Sequence, residues 1–152
     1  MANISAVRQA LADVIQNYTY PPLPAFGTNQ DQINPPCALV LPAKNLGTYG
    51  VTLVGNPATQ STLLAVTEFN LDVYVLVARA STINRVEKTL DQWLGFELDS
   101  NVVSIPMAIA LNENLGGACQ YCEPINVDSY GPIEWNTVTY FGARIHTKVS
   151  MI

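Results

Sequence analysis

The segment Glu68–Ala78 constrains this chain more than any other. Phe69, Leu71, Val73, Val75 and Val77 alternate with Glu68, Asn70, Asp72 and Tyr74. A period of two places the first set on one side of a pleated strand and the second set on the other. No helix gathers five apolar residues at that spacing into a single stripe. The chain therefore contains a long strand with one buried face. Such a strand needs partner strands and a second layer to bury that face against.

Two segments supply that layer. Ile4, Val7, Leu11 and Val14 recur at helical spacing and Tyr18 continues the stripe, with Asn3 or Ser5 placed to cap the start. Further on, Ile83, Val86, Leu90, Trp93 and Leu94 form a second stripe, while Asn84, Arg85, Lys88, Asp91 and Gln92 face away. Ser81 or Thr82 caps this helix and Gly95 stops it. Trp93 reads as core packing rather than a ligand platform. Ser104 followed by Ile105–Leu111, with Pro106 in the first turn, predicts a short third helix.

Other strands are shorter or less regular. Cys37–Leu41 is an apolar run fenced by Pro36 and Pro42 and reads as a buried strand. Ala118–Asp128 and Thr137–Val149 read as two closing strands paired in a hairpin, joined through Tyr130–Asn136. Residues 20–36 form a Pro-rich extended segment, held to the core by Leu23, Phe26 and Ile33 or kept free for a function. Residues 43–65, punctuated by Gly47, Gly50 and Gly55, form a Gly-rich loop or hairpin arm. The expectation is a single α+β domain over residues 1–152. It has a mainly antiparallel or mixed β-sheet, flanked by two main helices plus a short third one.

Composition narrows the function. Only 12% of the 152 residues are charged, about half the usual share for a globular domain. So few charges leave a poorly solvated surface, and coverage by partner subunits answers that problem. The net charge of −5 and the seven scattered Lys and Arg residues argue against attraction to nucleic-acid phosphates. They also argue against a basic membrane-surface helix. The N-terminal stretch is broken by Arg8, Gln9, Asp13 and Gln16 and does not read as a signal peptide. No apolar run reaches the length that spans a bilayer. Three cysteines, Cys37, Cys119 and Cys122, fit free thiols in a reducing compartment.

Several residues invite a chemical reading. Cys119 and Cys122 form a C-x-x-C, but zinc needs four ligands and only Cys37 and His146 remain. On a strand, positions three apart face opposite ways, so Cys119 shares a face with Tyr121, Ile125 and Val127 while Cys122 points away. His146 is the only histidine and sits mid-strand without a nucleophile elbow, which reads as a half-exposed strand residue. Glu68 and Asp72 share a strand face without the setting of an acid–base pair. Gly47–Gly50 lacks the Lys-Ser/Thr ending of a phosphate loop. No catalytic residue, cofactor or metal is expected.

One pattern remains. Arg144, His146 and Lys148 occupy one face of the last strand, and Phe141, Ala143, Ile145 and Val149 the other. Beside the long strand, the charged strip would meet Glu68 and Asp72. It then reads either as a solvated face with cross-strand pairs or as a subunit interface meeting an acidic neighbour. The candidate interface set is Glu68, Asp72, Arg144, His146, Lys148 and, from the glycine-rich excursion, Tyr49.

The order of pieces resembles the tail terminator (tail completion) proteins of long-tailed, siphovirus-type bacteriophages. The resemblance rests on the helix Ile4–Gln16, the strand Pro35-Pro36-Cys37-Ala38-Leu39-Val40-Leu41 and the strand Phe69–Val75. It extends through Leu90-Asp91-Gln92-Trp93-Leu94-Gly95, Ser104–Ala108, Leu115-Gly116-Gly117, Tyr130-Gly131 and Tyr140-Phe141-Gly142-Ala143-Arg144. It implies a sheet flanked by helices and a homohexameric ring that caps the tail tube. That ring would join the tube to the head-side connector or stopper, in a virion assembled in the host cytoplasm. DNA would pass through the lumen without sequence-specific binding, and an acidic lumen favours sliding. Another neck protein (a head–tail stopper or adaptor) or a minor tail protein is the alternative. A small-molecule binding module is a more distant one, and an enzyme ranks last.

Overall fold

The computed structural model describes residues 4–42, 52–54, 65–79, 83–96 and 100–151. Its elements run α1 (Ile4–Tyr18), β1 (Ala25–Phe26), β2 (Cys37–Pro42), β3 (Thr52–Val54), β4 (Ala65–Arg79), α2 (Ile83–Leu94), α3 (Ile105–Leu111), β5 (Tyr121–Trp135) and β6 (Val138–Ser150). A 3-10 turn, Leu115–Gly117, precedes β5. The fold is α+β, as the alternation and the helical stripes require.

The strands form one mixed sheet in the order β1-β2-β4-β6-β5, with β3 pairing to β4 beside the end of β2. Among the described strands only β1 and β2 run parallel. The predicted long strand, β4, is the spine: it pairs antiparallel with β2, with β3 and, along most of its length, with β6. Its central place explains its pattern. Phe69, Leu71, Val73, Val75 and Val77 all lie buried in the main cluster.

All three helices cover that same face. α1 contributes Val7, Leu11, Ala12, Val14 and Ile15, α2 contributes Leu90, Trp93 and Leu94, and α3 contributes Ile105, Ala108 and Ile109. Each fully buried aliphatic or aromatic side chain contributes roughly 1.5–3 kcal/mol, so the helical stripes hold the layers together. Ser104 caps α3 by accepting from the Met107 N–H at 3.2 Å, with Pro106 in the first turn. Gly95 ends α2 at φ 81°, a conformation that costs glycine little. The caps expected at Asn3, Ser81 and Thr82 lie outside the described residues.

Residues 20–36 form an extended segment strung between the two faces. Leu23 is buried in the main cluster, whereas Ile33 packs on a smaller cluster of Cys37, Leu39, Leu76 and Tyr140 on the far side of the sheet. The Trp93 indole N–H donates to the Pro21 carbonyl at 2.9 Å and ties the segment to α2. Phe26 stays partly exposed. Of the arm 43–65, Thr52–Val54 pairs antiparallel with the start of β4, as a hairpin would. The rest of the arm up to Leu64 lies outside the described residues.

The closing hairpin differs from the expectation. The stretch Tyr130–Asn136 is strand almost to its end, not a connection, and the turn is Asn136-Thr137 alone. Both turn residues have positive φ, 48° and 68°, as a two-residue primed turn demands. Among the described residues no helix is long and apolar enough to cross a membrane.

Candidate functional site

The charged strip falls where strand pairing puts it. In the β4–β6 register Asp72 sits opposite His146, Tyr74 opposite Arg144 and Asn70 opposite Lys148. The third strand brings a residue that was not anticipated. On β5, Asp128 lies opposite Arg144 and Asn126 opposite His146. Three adjacent strands thus converge on one patch of the sheet face away from the helices.

The geometry is that of a closed network. The Arg144 Nε–H donates to Asp128 Oδ1 at 2.8 Å and its Nη2–H to Asp128 Oδ2 at 3.0 Å, a bidentate fork. The His146 ring lies between two carboxylates, with Nδ1 2.5 Å from Asp72 Oδ1 and Nε2 2.7 Å from Asp128 Oδ2. Arg144 Nη1 stands 4.0 Å from Asp72 Oδ2, and its guanidinium lies 6.0 Å from the centre of the Tyr74 ring. Asp72 is fully buried and His146 is 5% exposed. Among the described residues Asp72 Oδ2 has no hydrogen-bond partner.

The electrostatics follow from the contacts. The Arg144 hydrogen bond, aided by His146, holds the Asp128 carboxyl well below the usual carboxylate range, against an opposing push from burial. Asp128 in turn raises Arg144 above its ordinary value. Charges this well matched inside one chain attract an outside partner weakly.

This corrects the picture of a solvated strip. The cross-strand pairs form, but Asp72 and His146 are interior groups, and His146 is not half-exposed. Neither has a surface to offer a neighbour. Among the six candidate interface residues, Arg144 and Lys148 are partly exposed. Glu68 pairs through its backbone with Ser150, and its side chain lies outside the described residues, as does all of Tyr49. The structure brings Asp72, His146 and Arg144 together. Counting back from the turn at Asn136-Thr137 would set Asp128 opposite Ile145; the bulge between Asp128 and Gly131 moves it opposite Arg144, so the sequence carried no direct signal for it.

The C-x-x-C pair also differs from its sequence reading. Cys119 precedes β5 instead of lying on it, and both Cys119 and Cys122 are buried in the main cluster. The face is reversed as well: Cys122 points inward, while Tyr121 and Ile125 are exposed. Burial pushes the Cys122 thiol up to about 12 and the Cys37 thiol up to about 11, far from the reactive thiolate. Among the described residues no group of three or more His, Cys, Asp and Glu is placed to hold a metal ion.

Elsewhere among the described residues, the surface along α3 is apolar. α3 has no polar residue in its sequence Ile-Pro-Met-Ala-Ile-Ala-Leu, yet it lies at the surface. Met107 is 43% exposed and Leu111 69%. A groove of about 210 Å³ runs beside it, lined by Pro106, Pro124, Ile125, Asn126, Val127 and Ile145. Comparisons with protein families, curated proteins and solved structures find no match.

Proposed function

We propose that this chain is a structural virion protein, a tail terminator whose copies form a ring capping the tail tube and joining it to the head-side connector. The observation that carries the reading is α3. A helix that is apolar all round belongs in an interior, and this one presents Met107 and Leu111 to solvent. In a ring, a neighbouring copy covers such a surface. Closed symmetry then stops growth while leaving two different faces for tube and connector. A sheet flanked by helices is the architecture that the family resemblance implies. The net charge of −5 suits a lumen through which DNA slides. No catalytic role is assigned to the strip, because His146 has both ring nitrogens engaged by carboxylates.

Native mass measurement tests the proposal, on the purified protein alone and mixed with the tail-tube protein from the same genome. Rings of six, or rings that appear on tubes, support it. A stable monomer that joins neither overturns it. Rings that bind a connector protein but never a tube point to a stopper or adaptor instead.

A small-molecule binding module is the second reading. It draws on a cleft of about 290 Å³ between the extended segment and the hairpin end, lined by Asp31, Gln32, Ile33, Arg79, Trp135, Asn136, Val138 and Tyr140. That volume sits at the small end for ligand sites. Tight ligand retention by a monomer would favour it.

A further inference from the structure

We propose that the Asp72–His146–Asp128 bridge is a protonation-dependent clamp that locks β5 to the centre of the sheet. The reasoning is one of donors and acceptors. An ionised carboxylate only accepts, and a neutral imidazole has one N–H and one bare nitrogen. Both ring nitrogens of His146 face carboxylate oxygens, at 2.5 Å and 2.7 Å. A neutral ring would leave one lone pair pointing at another at that distance. The imidazolium donates on both sides.

The clamp spans three strands. Asp72 comes from β4, His146 from β6 and Asp128 from β5. The described ionisable groups on this face around the bridge are Tyr74 and Asp72 on β4, Arg144 and Lys148 on β6, and Asp128, Glu123 and Tyr121 on β5, Glu123 standing opposite Lys148, while Cys37 on β2, Arg79 on β4 and Tyr140 on β6 lie farther along it. At β2, Asp72 has Leu41 as its register partner, which carries no charge. With the ring charged, Asp72 and Asp128 are balanced by Arg144 and His146. With the ring neutral, two carboxylates share one guanidinium, and Asp72 keeps only a 4.0 Å approach to it. Because Asp72 is fully buried, that imbalance cannot be relieved by water, and burying an unmatched charge is costly.

The sign follows. Stabilisation from the bridge is present while the ring holds its second proton and is lost as pH rises and removes it. Acid removes it from the other side, when the carboxylates gain protons. The strand that loosens is β5, whose partner in the sheet is β6. The clamp is therefore intact within a pH window, and leaving that window frees the hairpin edge.

His146 is the sole histidine, so its ring can be read without ambiguity by nitrogen-15 NMR of the whole protein. At about pH 7 both ring nitrogens are expected to carry protons. On raising the pH, one is lost and the thermal midpoint falls over the same interval. The midpoint gap between wild type and His146→Gln should shrink across that interval by more than half. A ring with one protonated nitrogen at about pH 7 would overturn the clamp. So would wild-type and His146→Gln profiles that stay parallel through the ring's titration. If His146→Gln does not fold, the wild-type spectrum against the wild-type melting profile decides alone: a midpoint indifferent to the loss of the ring proton also overturns it.

Discussion

An added Cβ at Gly142 would lie 2.0 Å from the Val75 carbonyl oxygen, well inside contact distance. The close approach sits in β6 next to the register shift between Leu76 and Ala78 of β4. Backbone cannot retreat there without breaking ladder bonds on both sides. Gly142→Ala is therefore expected to destabilise by about 1–3 kcal/mol, read as a lower urea midpoint with an unchanged slope. The thiols make a second residue-scale case. Cys37, Cys119 and Cys122 are buried and each is pushed above its ordinary value, chiefly by burial. At neutral pH all three should resist iodoacetamide in the folded protein and label rapidly in denaturant. Prompt labelling of a folded-state thiol would contradict the packing around it. Asp128 supplies a third case. Its carboxyl is held low first by the Arg144 hydrogen bond, so the stabilisation is present above the unfolded carboxyl's range and is lost as pH falls below it. Asp128 is substantially exposed, so water weakens the pair. Arg144→Gln should cost stability near neutral pH, with the difference from wild type closing in strong acid.

Among the elements, the hairpin β5–β6 shows most clearly what pattern reading captures and what it misses. Its turn places Thr137 at φ 68°, where a β-branched side chain is strained. Thr137→Gly is expected to stabilise by about 1 kcal/mol, raising the thermal midpoint by about 2–4 °C; a lower midpoint would show that the Thr137 hydroxyl's bond to the Asn136 carbonyl outweighs the strain. The same residue hid the turn. Asn-Thr is not the Asn-Gly signal that marks such turns, and Tyr130-Gly131-Pro132 looked like punctuation although Gly131 and Pro132 lie in a bulged strand. By contrast β4, α1 and α2 were legible because one periodic face of each is buried, and α3 because Ser104 and Pro106 mark its start. The candidate site was half legible for the same reason. Asp72, His146 and Arg144 follow from alternation on two neighbouring strands. Their burial does not follow, since a polar residue on the strand face away from the helices reads as solvated. Asp128 needed the register of a strand interrupted by two bulges, between Pro124 and Asn126 and between Asp128 and Gly131.

At the scale of the whole molecule, assembly is limited by what the sheet edges allow. Among the described residues one edge is made of β1, only two residues long, and of β3, three residues long and paired to β4 alone. The other is β5, which is 15 residues long but carries Pro124, Pro132 and both bulges. Short strands, prolines and bulges are the devices that stop edges from pairing with another chain. Copies of this protein should therefore not join by continuing the sheet. The exposed apolar surface of α3 is left as the contact that a ring would bury, and interface cores are low in charge as this helix is. Leu111 is the most exposed of the large apolar side chains described and bears little of the core's weight, so Leu111→Asp should leave the thermal midpoint of the monomer close to wild type. In the proposed ring it would place a charge inside a dry contact. The expected result is a folded monomer by native mass measurement where wild type gives rings, together with amide exchange protection gained by wild-type α3, and not by β5, on assembly. A variant that still forms rings of normal stability, or protection appearing along β5 instead, would show that the subunits meet elsewhere.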